Sequence, residues 1–163
     1  MAGREEILRL FPGILREILG QVSGNFEEIQ EIRLRAEQPV IIIRNNREYF
    51  LTPSGALRTT KDGAAVFHGP QIQEMVEYMG NYSLYAFEEE VRRGFLTLQG
   101  GHRVGLAGQA VLESWKEPKI RQVKTLKYIS FLNVRIAHQK KGCAAGLLPF
   151  LCEDGKILPS LLI

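Results

Sequence analysis

Glu31-Ile32-Arg33-Leu34-Arg35-Ala36-Glu37-Gln38-Pro39-Val40-Ile41-Ile42-Ile43-Arg44-Asn45-Asn46-Arg47-Glu48-Tyr49-Phe50-Leu51 is the stretch whose reading decides the fold. Ile32 and Leu34 alternate with Arg33 and Arg35, which is the period of a strand with one face on a core, so both arginines point to the opposite face. Pro39 opens a second strand, Val40-Ile41-Ile42-Ile43-Arg44. Asn45-Asn46 is a two-residue turn able to take positive φ, and Glu48-Tyr49-Phe50-Leu51 returns. The pattern predicts a strand and a hairpin over 28–51, with Ile32, Leu34, Ile41 and Ile43 buried.

On the N-terminal side the pattern is helical. Ile7, Leu8, Leu10 and Phe11 cluster, and Pro12 suits the first turn of a second helix. Ile14, Leu15, Ile18, Leu19 and Val22 follow at helical spacing, with Gly20 and Gly24 bracketing the end. On the C-terminal side, 52–69 reads as a loop with a short strand. Gly69-Pro70 opens a helix carrying Ile72, Met75, Val76 and Met79, ended by Gly80-Asn81, and a short helix follows over 84–91. Phe95, Leu96 and Leu98 form a strand, Gly100-Gly101 a hairpin turn, and 102–112 the return strand. Two further strands are expected over 120–127 and 131–136, then a short helix over 144–151. Hairpin-linked, mainly antiparallel strands with helices on one side make the expected class α+β.

The chain ends on Lys156-Ile157-Leu158-Pro159-Ser160-Leu161-Leu162-Ile163. An apolar strand with no polar tail leaves a sticky edge, so it reads as a strand leading into a further domain. The expected organisation is therefore a helical segment over 1–25, an α+β accessory domain over 26–155, and a connecting strand over 156–163. No apolar run is long enough to span a membrane, and the charged start, Arg4-Glu5-Glu6, is unlike a secretory leader. These features place the chain in the cytoplasm. Cys143 and Cys152 read as small buried thiols, because a zinc site needs four ligands at tighter spacing.

Charge divides the chain. Residues 1–90 carry 9 Lys/Arg and 14 Asp/Glu, whereas 91–163 carry 12 Lys/Arg and 4 Asp/Glu. A basic C-terminal half calls for an anionic partner unless the two halves satisfy each other within one fold.

No catalytic or metal constellation is visible. Gly100-Gly101-His102-Arg103-Val104-Gly105-Leu106-Ala107-Gly108 lacks the lysine and hydroxyl of a phosphate-binding loop, so its glycines read as a turn and a bulge. The serines lack an elbow motif, Glu88-Glu89-Glu90 reads as a solvated helix face, and His102 has no acid nearby in sequence. Arginines on strands or beside turns are the better candidates, because a planar fork held on a rigid strand suits phosphate or carboxylate. They are Arg103 and Arg135, with Arg93 as a weaker third, for contact with a nucleotide or a neighbouring domain. Arg33 and Arg35 are candidates for a partner surface. A nucleic-acid-binding module using the same basic half is the rival reading. It needs exposed aromatics for stacking, and Tyr82, Tyr85, Phe87 and Phe95 fall at core-like spacings instead.

Three segments carry a resemblance: 31–39, Gly101-His102-Arg103-Val104-Gly105-Leu106-Ala107-Gly108-Gln109-Ala110-Val111, and Ile129-Ser130-Phe131-Leu132-Asn133-Val134-Arg135-Ile136-Ala137. They resemble the N-terminal region of the stage III sporulation protein AA family, which is related to secretion ATPases. The resemblance implies a PAS-like accessory domain. It further implies a RecA-like ATPase domain after residue 163, and it is that domain which would bind ATP and magnesium. Implied partners are that ATPase domain, neighbouring subunits of a hexameric ring, and membrane proteins of a complex between mother cell and forespore, with no nucleic acid. The implied location is the mother-cell cytoplasm, peripheral to the membrane through those partners. The role expected for this chain is non-catalytic assembly and positioning.

Overall fold

The computed structural model describes residues 3–81, 87–114, 121–138, 146, 152–153 and 156–157. Two helices lead in, α1 (Arg4–Leu8) and α2 (Gly13–Gln21). Ile7, Phe11, Leu15 and Leu19 recur at helical spacing and are fully buried. One turn of 3-10 helix follows at Phe26–Glu28, where the Asn25 side chain accepts from the Glu27 N–H.

The chain then enters β1 (Ile29–Arg35), β2 (Ile41–Arg44), β3 (Arg47–Leu51) and β4 (Leu57–Arg58). Asn45 and Asn46 have φ of 51° and 59°, the mirror-image turn that matches strand twist. After α3 (Gly69–Met79) and α4 (Glu88–Arg93) come β5 (Phe95–Thr97), β6 (Arg103–Ser114) and β7 (Arg121–Arg135). The Gln71 side chain accepts from the His68 N–H at the start of α3. Gly94, with φ of 81°, closes α4 in the left-handed conformation.

These strands form one 7-stranded sheet in the order β4-β3-β2-β1-β7-β6-β5, antiparallel at every step. The fold is α+β. The sheet's core face carries Ile32 and Leu34 of β1, Ile42 of β2, Leu51 of β3, Leu96 of β5, Val104 and Leu106 of β6, and Leu132 and Val134 of β7. The helices contribute Ile72, Met75, Val76 and Val91 to the same cluster. Apart from Glu31, which is buried, the described residues alternating with these strand positions are half-buried or exposed, and together they make an open face that none of the described helices covers.

Two expectations are corrected. Ile41 and Ile43 are half-buried on the open face, and Ile42 between them is the buried one. The reason is register: Ile42 lies directly opposite Ile32, and opposite residues share a face. The two strands expected over 120–127 and 131–136 are one strand, β7, within the described residues. It runs through Tyr128, whose φ is 49°. Between Ala107 and Gln109 of β6 the partner advances from Phe131 to Lys127, so Tyr128 sits in a bulge.

The connecting strand expected over 156–163 is described only at its start. There β9 (Lys156–Ile157) pairs with β8 (Cys152–Glu153) in a separate two-stranded sheet. The helix expected over 84–91 is described from Glu88 onward as α4. The helix expected over 144–151, together with Cys143, Tyr82 and Tyr85, lies outside the described residues, apart from Gly146 in a turn.

Candidate functional site

The open face gathers four of the five candidate arginines. Alternation on β1 puts Arg33 and Arg35 there with Glu31, and β7 brings Arg135 opposite Glu31. Arg103 of β6 lies opposite Arg135 in turn. Arg93 is placed differently. It sits in the last turn of α4 and pairs with Glu89 of the same helix at 3.0 Å.

Glu31 is the hub of the cluster, although nothing in the sequence marked it as special. The residue is only 8% exposed. Arg135 Nε–H donates to Oε1 at 2.6 Å, and Arg33 Nε–H donates to Oε2 at 2.8 Å. Arg33 is shared, since its Nη1 also donates to Glu48 Oε1 at 2.9 Å. Burial pushes the Glu31 carboxyl up. The hydrogen bonds from Arg135 and Arg33, with their charges, outweigh burial and hold it below its ordinary value. The signal that would have found Glu31 was parity, because it stands two positions before Arg33 on the same strand.

The remaining arginines are held by rings. The Arg35 guanidinium lies over Phe131 at 5.3 Å, and that of Arg103 lies over Phe95 at 5.7 Å. Arg135 is committed to Glu31 through Nε, yet its side chain is 70% exposed, so its outer nitrogens face solvent. Two shallow dents flank Arg33 on this face. One, of about 150 Å³, is lined by Arg33, Arg35, Lys61, Ile41 and Phe50 among others. The other, of about 320 Å³, is lined by Glu31, Arg135, Ile43 and Asn46 among others.

His102 is structural. It is fully buried, and Nδ1 accepts the Ala137 N–H at 3.1 Å. Its Nε2 lies 3.4 Å from Glu6 Oε1 on α1. The acid absent from its sequence neighbourhood thus comes from the first helix. Among the described residues, no three His, Cys, Asp or Glu side chains converge as a metal site. No described helix is long and apolar enough to cross a membrane.

The family model described as sporulation stage III, protein AA matches residues 1–163. The chain belongs to the sporulation stage III protein AA family. The stage III sporulation protein AA of Bacillus subtilis (strain 168) is 35% identical over 150 residues, which cover 91% of this chain and 43% of that protein. The chain therefore spans less than half the length of this relative.

Proposed function

We propose that this chain is the non-catalytic positioning and assembly domain of a sporulation ATPase, and that it docks on the ATPase domain through the open face of its sheet. One observation carries the reading: among the described residues, arginines from β1, β6 and β7 converge on an uncovered face in excess of the carboxylates that meet them there. Arg103 and the outer nitrogens of Arg135 are the groups offered to the ATPase domain or to its nucleotide, and Arg33 and Arg35 extend the same surface. The greater length of the relative leaves room for such a domain. ATP and magnesium would be held by that domain, because this chain has no phosphate-binding loop and no metal cluster among its described residues.

Neighbouring subunits in a hexameric ring and membrane proteins of the same sporulation complex are the further partners in this reading, and the mother-cell cytoplasm is the location. The nucleic-acid alternative gains nothing from the geometry. Glu31 and Glu48 stand at the centre of the face, where a phosphate backbone would have to pass.

The test is ATP turnover by the full-length gene product. Arg103→Ala and Arg135→Ala should each lower turnover by at least about tenfold, a floor well below the roughly 10³–10⁵-fold that a phosphate-stabilising arginine can contribute. The isolated chain should show none. Turnover equal to wild type in both variants, with assembly unchanged, would refute the reading.

A further inference from the structure

Charge on the open face is unevenly satisfied. Among the described residues, the two carboxylates there are consumed at the centre, Glu31 by Arg33 and Arg135, and Glu48 by Arg33. The exposed arginines on this face that meet no carboxylate among the described residues include Arg58 of β4; of these arginines, Arg35 and Arg103 flank the centre on either side. Arg103 even faces Arg135 across the β6–β7 pair, where like charges directly opposite are unfavourable. Both guanidiniums are stacked instead on half-buried rings, Phe131 and Phe95.

Stacking restrains a long side chain while leaving its N–H edges free. A carboxylate that meets such a fork finds it already oriented, and less rotamer freedom is lost on binding. An arginine beside an aromatic ring is also the composition of interface hot spots. The register sets the spacing. Arg35 aligns through Phe131 with Ala107, two strands away, and Arg103 lies four residues along β6 from there. The backbone positions of the two arginines are thus about 16 Å apart. Beside Arg35, the dent lined by Lys61, Ile41 and Phe50 adds a second cation and an apolar floor.

We propose that Arg35 and Arg103 are the two anchors of a protein-docking face. The partner is an acidic protein surface that sets one carboxylate against each anchor and apolar side chains beside Phe131 and Phe95. This rests on the reading of the open face as a docking surface, and it assigns the anchors and the partner's chemistry. A nucleic-acid strand fits less well, because its charges are close and regular, whereas this face offers two separated cationic ends around a neutral, partly apolar centre.

Arginine Nε–Hε signals of the ¹⁵N-labelled chain report the contacts directly. The probes are the peptide acetyl-Leu-Glu-Leu-Leu-Leu-Glu-Leu-amide, whose glutamates share a face about 14 Å apart when extended, and a short DNA duplex, each at about physiological salt. The peptide should shift the Arg35 and Arg103 signals and leave Arg92 and Arg93 on α4 in place. The double variant Arg35→Gln/Arg103→Gln should bind it about tenfold more weakly or worse. If that variant does not fold, single Arg→Lys changes, which keep charge and lose the fork, should each weaken binding measurably. Still signals at millimolar peptide, unchanged binding by the variants, or tighter binding of the duplex would overturn the proposal. Peptide binding with ATP turnover indifferent to these arginines would leave this inference standing and remove the ATPase reading. The converse result would do the opposite.

Discussion

Glu31 shows how one carboxylate can organise a surface. It is desolvated on a sheet face that is otherwise open, and it keeps its charge because two guanidiniums donate to separate oxygens. Replacing it with glutamine leaves Arg33 and Arg135 without their shared anion, at a cost of about 1–3 kcal/mol given that both arginines are partly solvated. The pH dependence has a definite sign. The folded pKa is depressed, so the stabilisation is fully present above about pH 5 and is lost as pH falls through the folded value. Urea melts from pH 7 down to about pH 3 should therefore show wild type losing more stability than Glu31→Gln. Parallel pH profiles would mean the bonds to Glu31 contribute nothing. The orientations of Arg33, Arg35 and Arg135 were readable from alternation alone. The partners of these side chains were not, because Glu31 and Arg135 are 104 positions apart in sequence.

At the level of elements, turns were legible, and strand parity was legible on β1 and β7 but not on β2. Asn45-Asn46 and Gly100-Gly101 declare themselves, since few residues accept positive φ at two successive positions. Ile41-Ile42-Ile43 carries no alternation, and only the pairing of Ile42 with Ile32 decides which isoleucine is buried. The continuity of β7 was hidden for a related reason, because Tyr128 takes a backbone conformation that a sequence reading assigns to a turn. That bulge makes a demand on its partner strand. A Cβ on Gly108 would lie 2.9 Å from Ile129 Cα and from Lys127 O, and 3.0 Å from Tyr128 O. These are backbone atoms that cannot swing aside, so Gly108→Ala should destabilise by about 1–3 kcal/mol, the cost of forcing atoms into a packed site. Chemical denaturation would measure it. An unchanged midpoint would mean the two strands are free to part at this bulge.

Over the whole molecule, one apolar cluster runs from Ile7 and Phe11 of the N-terminal segment, through the sheet, to Ile72, Met75 and Val76 of α3. Among the described residues, the helices bury one side of the sheet and leave the other uncovered. The division of the chain into acidic and basic halves finds part of its resolution there, since Glu31 from the first half meets Arg135 from the second. What remains, at Arg35 and Arg103, is offered outward. The central claim is that this open face is covered in the full-length protein, and chemical footprinting of arginines with phenylglyoxal tests it most directly. In the isolated chain Arg35, Arg103 and Arg135 should react readily. In the full-length gene product with ATP and magnesium they should be protected at least about tenfold, while Arg92 and Arg93 on α4 react as before. Equal reactivity of Arg35, Arg103 and Arg135 in the two proteins would contradict the account.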